Sequence, residues 1–136
     1  MLKQYFIIPK YNWKVYVYYH IDCYYIDDII KKLEDIGCSN IHLKDVYKSL
    51  SNCELNTGFT YSNSSKKCSV IVISNTTTPA QFMNSYDHER YHLISHIIEE
   101  FNINPYSEEA AYLTGDIGQL MFPKAKRFLC KCHCRK

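Results

Sequence analysis

His88-Glu89-Arg90-Tyr91-His92 lies inside Pro79 to Phe101, the segment whose reading decides how this chain is built. Thr76-Thr77-Thr78-Pro79 precedes it, offering hydroxyls that can cap a helix and a proline suited to its first turn. Apolar residues then recur at helical spacing, with Met83, Tyr86, Leu93, Ile94, Ile97, Ile98 and Phe101 covering a broad arc. At about 100° per residue, Ser85, His88, Glu89, His92, His96 and Glu99 share about a third of the circumference beside that arc. A helix with so wide an apolar surface is mostly buried, so its polar stripe faces either solvent or an internal cleft.

The order within the stripe carries the chemistry. An arbitrary mixture of His and Glu reads as the wet side of an amphipathic helix. In H-E-x-x-H, two imidazoles four residues apart share one face and can grip a single Zn2+. The carboxylate directly after the first His projects beside the ion, where it can take a proton from water as a general base. His88 and His92 are thus the candidate ligands and Glu89 the candidate catalytic base.

A catalytic zinc needs three protein ligands and an open position. His96 starts about 12 Å from His88 along the axis, too far to share one ion with bonds of about 2 Å. It reads instead as a support behind the ligands, a substrate contact or a histidine in the cleft wall. An extended pattern with Gly at 95 and His at 98 is excluded by Ser95 and Ile98. Cys68 on a preceding strand lacks a supporting motif, and buried cysteine is usually packing. Glu108 and Glu109 remain, at the start of the next helix after a short break. An acidic pair there also stabilises the first helical turn through the helix dipole.

Working outward, Tyr11 to Asp22 is dense in aromatic and β-branched residues and predicts a strand. Tyr25 to Ile36, with Gly37 as its stop, predicts an amphipathic helix, and Leu43 to Leu50 a shorter one. Gly58 to Tyr61 and Cys68 to Ile73 flank a Ser/Asn-rich turn and predict a hairpin. After the long helix, Asn102 to Pro105 breaks the pattern, Ser107 caps another helix, and Pro123 is expected to end it near Phe122. The order β-α-α-β-β-α-α predicts one α+β domain over residues 1–123, with a basic, Cys-rich tail over 124–136.

Composition narrows the function classes. The 136 residues, 46% hydrophobic with 13 Tyr, suffice for one globular core. A net charge of +2 argues against nucleic acid as a partner, and no apolar run approaches the length that crosses a bilayer. The start runs straight into a folded-looking segment, so no signal peptide is expected. Seven irregularly spaced cysteines then read as reduced thiols in a cytosol. Cys130-Lys131-Cys132-His133-Cys134 resembles a metal-binding tract, but its ligands are too crowded for a structural zinc site, and a charged solvated terminus is the expectation.

Taken together, His88-Glu89-x-x-His92 and Glu108-Glu109-Ala110-Ala111-Tyr112-Leu113-x-Gly115 resemble the small gluzincin-type zinc metallopeptidases of phages and prophages. More distantly, they are similar to ImmA/IrrE and thermolysin-like peptidases. The resemblance covers about Met83 to Phe122. It implies a minimal gluzincin core: an active-site helix, a glutamate helix and a small sheet whose edge strand holds an extended peptide. Cys68 to Ile73 is placed to be that edge. The resemblance selects Glu108 as third ligand, with Glu109 as the alternative, and implies a peptide or protein substrate in a bacterial host cytosol. It also calls for an oxyanion donor, for which Tyr112 and His96 are candidates. The competing expectation is a non-catalytic regulatory or interaction module of a mobile element, in which any metal only staples the helices.

Overall fold

The computed structural model describes residues 2–21, 26–51 and 58–130. Among these, four strands, β1 (Leu2–Ile8), β2 (Trp13–Ile21), β3 (Phe59–Asn63) and β4 (Cys68–Ser74), form one sheet. Four helices complete the α+β fold: α1 (Ile26–Asp35), α2 (Asn40–Ser51), α3 (Pro79–Glu100) and α4 (Glu108–Ala125). The strand order is β1-β2-β4-β3, with β2 and β4 parallel and both outer pairs antiparallel.

β4 explains the layering. Cys-Ser-Val-Ile-Val-Ile-Ser is buried at every position, as a strand must be when both faces of its sheet are covered. Successive side chains point to opposite faces. Cys68, Val70 and Val72 therefore join Ile29, Leu33, Leu43 and Val46 of α1 and α2 in one core. Ile71 and Ile73 join Trp13, Val15, Val17 and the apolar faces of α3 and α4 in the other.

Local chemistry sets the helix ends. Thr78 caps α3 by accepting from Gln81 N–H at 3.1 Å, and Pro79 occupies its first turn. Asn102, with φ of 52°, ends α3 in the left-handed conformation, and Ile103 N–H closes back on Ile98 O at 3.0 Å. Gly37, with φ of 87°, does the same for α1, where Cys38 N–H donates to Leu33 O at 2.9 Å. Ser107 caps α4 through Ala110 N–H.

Three expectations from the sequence need correction. β1 lies where no strand was assigned, and it pairs along its whole length with β2. Cys68 to Ile73 is an internal strand; the edge beside α3 is β3. Pro123 does not end the last helix near Phe122, because α4 continues through it to Ala125. Proline removes one N–H, and both Pro123 and Gln119, whose carbonyl would receive it, are exposed to water. The gain is burial: Ala125 is fully enclosed, and the turn after it stacks Phe128 on Phe82 and Tyr19, with centroids 4.9 and 5.8 Å away. Of the Cys-rich tract, Cys132, His133 and Cys134 lie outside the described residues. None of the described helices is long and apolar enough to cross a membrane.

Candidate metal centre

The period of a strand and that of a helix meet where β3 runs beside α3. Along β3, Phe59 and Tyr61 pack into the α1/α2 core, which turns Thr60 and Ser62 toward α3. Opposite them, α3 presents Glu89 and His96, two turns apart on its inner flank, while His88 and His92 stand nearer the open side.

The two imidazoles come together as their i, i+4 spacing requires. His88 Nε2 and His92 Nε2 are 3.3 Å apart, with ring centroids at 4.9 Å. Two nitrogens bound to one tetrahedral zinc at about 2.0–2.1 Å stand roughly 3.3 Å apart, so the pair has the span such an ion needs. The same distance permits a hydrogen bond between one protonated and one bare nitrogen. Glu89 completes the group: its carboxylate and the two imidazoles offer ligand atoms all within 4.8 Å of one another.

Glu89 is a buried carboxylate, only 5% exposed. Thr60 Oγ1 donates to its Oε1 at 2.9 Å, and the same hydroxyl lies 3.1 Å from the Glu89 backbone carbonyl. Gly58 supplies the remaining wall. A Cβ there would lie 2.9 Å from Val72 O and 3.2 Å from Glu89 Oε2, so the strand approaches this closely only as glycine. Burial raises the Glu89 pKa above the usual carboxylate range, against smaller lowering effects from Thr60, His88 and His92. A carboxyl tuned upward by desolvation suits a proton acceptor that must later give the proton back.

His96 is tied into the sheet. Its Nδ1 lies 2.6 Å from Ser62 Oγ, Ser62 Oγ lies 2.7 Å from Ser69 Oγ, and Trp13 Nε1–H donates to Ser69 Oγ at 2.8 Å. Trp13 and Ser69 are both fully buried. Burial, then the neighbouring His92, pushes the His96 pKa down, and Glu99 opposes this. Its ring lies 6.5 Å from that of His92, inclined by 30°.

The acidic residues of α4 are not brought to the histidines. Glu109 turns to the other side of α4, where Tyr11 Oη donates to it at 2.8 Å and Lys10 Nζ lies at 3.2 Å. These partners lower its pKa. Glu108 is exposed and lines a groove of about 610 Å³ between α3 and α4, with Ser95, Ile98, Glu99 and Tyr106 among its neighbours. It is outside the His88-Glu89-His92 group. Tyr112, 69% exposed, borders the Lys10–Tyr11 side of α4 and not the histidine pair. The physical reason is the packing of the helix pair. α4 presents Ala110, Leu113, Ile117 and Met121 to the core, and Arg90 clamps it by donating to Thr114 O at 3.2 Å.

Thr60, Ser62, Gly58 and Ser69 escaped the sequence reading. Their signal was present, since Phe59-Thr60-Tyr61-Ser62 alternates aromatic and hydroxyl side chains and so marks a strand with one polar face. A scan against protein-family models, a search of curated proteins and a search of solved structures each return no match to this chain.

Proposed function

We propose that this chain is a zinc-dependent hydrolase of peptide bonds with a minimal gluzincin-like core, in which His88 and His92 hold the metal and Glu89 is the general base. The observation that carries the reading is the 3.3 Å approach of the two Nε2 atoms with the Glu89 carboxylate alongside. Zinc, when bound, supplies Lewis acidity and lowers the pKa of water. Glu89, held by Thr60 and raised in pKa by burial, accepts the proton of the attacking water and returns it to the departing amine. Among described strands β3 pairs only with β4, so its other edge offers backbone groups to an extended peptide beside the histidines. The free, buried thiols of Cys38 and Cys68 suit a reducing compartment such as a host cytosol.

This reading rests on two protein ligands among the described residues, His88 and His92. A specific observation favours a second reading. With Glu109 engaged by Tyr11 and Lys10 and Glu108 outside the group, the described residues bring no third ligand of the kind expected at a catalytic zinc. A regulatory or interaction module with a vestigial metal site would look the same. Metal analysis of the purified protein separates site from motif. About one zinc per chain is expected, lost in His92→Ala and retained in Glu108→Ala. A folded, metal-free wild type removes the proposal, and zinc loss in Glu108→Ala as well would restore the three-ligand arrangement.

A further inference from the structure

The chain from Trp13 to His96 has a direction, and the direction follows from counting donors and acceptors. An indole N–H only donates, so Ser69 Oγ is an acceptor at 2.8 Å. Ser69 is fully buried, and among the described residues its only other side-chain partner is Ser62, 2.7 Å away. Were Ser62 to donate to Ser69, the Ser69 hydroxyl hydrogen would be sealed in the core with no acceptor, which buried polar groups avoid. Ser69 therefore donates to Ser62. The Ser62 hydroxyl, having accepted, still has one hydrogen to place, and His96 Nδ1, 2.6 Å away, is its remaining side-chain partner among the described residues. A nitrogen that accepts carries no proton, so donation from Ser62 would put the proton of the neutral ring on Nε2.

We propose that Trp13, Ser69 and Ser62 form a one-way hydrogen-bond relay that fixes His96 as its Nε2–H tautomer, presetting it as a donor to a carbonyl or carboxylate oxygen in the cleft beside His92. The choice of a peptide carbonyl as acceptor rests on the hydrolase reading above; the tautomer does not. Nε2 lies on the ring edge away from Ser62, and the ring is one turn along α3 from His92. On the hydrolase reading, a carbonyl attacked at a metal held by His88 and His92 would develop negative charge in this neighbourhood, where a preoriented neutral donor is most effective. Ser62, Ser69 and Trp13 are positioning residues in this scheme; His96 is the group that meets substrate.

The tautomer is measurable on the metal-free full chain by long-range proton–nitrogen correlation of the His96 ring. Wild type is expected to show a single Nε2–H form. Trp13→Phe keeps an aromatic ring but removes the first donor, and Ser69→Ala removes the second. Each is expected to give a mixture of tautomers, whereas Ser62→Thr, which keeps the hydroxyl, retains the single form. A wild-type proton on Nδ1 overturns the relay, as does a wild-type tautomer that neither Trp13→Phe nor Ser69→Ala disturbs. A packing role alone predicts that last result. For the donor role, the zinc-loaded protein is assayed on unfolded casein. His96→Phe is expected to lower kcat about a hundredfold with zinc content unchanged, and Ser69→Ala to lower it less, without raising KM. Unchanged kcat in His96→Phe overturns the donor role. No turnover in wild type overturns the hydrolase reading and the donor role with it, while the relay is still decided by the tautomer.

Discussion

The two faces of the sheet bury their side chains to different ends. Toward α1 and α2, the core is Ile26, Ile29, Leu33, Leu43, Val46, Val70 and Val72, with Tyr18, Cys38 and Cys68 as its polarisable members. Toward α3 and α4, a second apolar core is bordered by a buried carboxylate, Glu89, and by the Trp13–Ser69–Ser62–His96 chain, which runs from the fully buried Trp13 and Ser69 to the half-buried Ser62 and His96. Burying a charged or hydrogen-bonding group costs stability unless it is fully partnered, and apolar residues of the same size would do as well or better. The first face is what a sheet needs in order to fold. The second carries polar groups that folding alone does not require, and they gather where β3 meets α3.

The contrast makes four predictions of decreasing size. Glu89→Gln keeps an acceptor for Thr60 and removes a buried charge, so it should leave stability within about 1 kcal/mol and zinc in place. Turnover should fall by about two to four orders of magnitude. Denaturant melts, metal analysis and an assay together check this, and an indifferent activity would assign the site to a binding module. Leu33→Ala is the converse. Fully buried on the α1/α2 face, it should cost about 2–5 kcal/mol by chemical denaturation without changing zinc stoichiometry at a temperature where the variant is folded.

Gly58→Ala probes the seam between the faces. Its methyl would crowd Val72 O and Glu89 Oε2, so a loss of about 1–3 kcal/mol is expected together with reduced turnover at unchanged zinc content. Stability loss with turnover intact would mean that the chain at Gly58 moves away without disturbing Glu89. The smallest effect belongs to Tyr18 on the α1/α2 face, whose pKa is pushed up to about 12 by burial and then by the negative charge of Asp28. A phenol with a folded pKa above its unfolded value of about 10 contributes stability that is fully present below pH 10. That contribution is lost as pH rises from about 10 toward 12. Tyr18→Phe should accordingly flatten the alkaline limb of the melting temperature, and an unchanged limb would contradict the assigned burial.

Much of this was legible in the sequence, and the exceptions have physical causes. α3 announced itself through its cap, its period and its length, and the His88–His92 pair followed because four residues on a helix leave little freedom. β1 was not legible. Its inward positions include Gln4, which bonds Leu120 O and receives the Tyr19 hydroxyl, while Tyr5 and Ile7 face outward, so the alternation is scrambled. The central place of β4 could have been read from its unbroken apolar run, the mark of a strand covered on both faces. The fate of Glu109 could not. Its partners Lys10 and Tyr11 lie almost a hundred positions away in the chain, and only the finished packing brings them together. The Ser62–His96 contact is of the same kind.

Phe128, stacked on Tyr19, His20 and Phe82, carries a consequence for biosynthesis. The parallel partners β2 and β4 are made far apart in time, and the aromatic plug over their shared core emerges from the ribosome later still. Vectorial folding therefore stalls at an open sandwich until residue 128 is free. Non-local closure of that sort is slow and leaves apolar surface exposed meanwhile. Nascent chains arrested before that point should be protease-sensitive and prone to chaperone capture, and those released beyond it should become resistant.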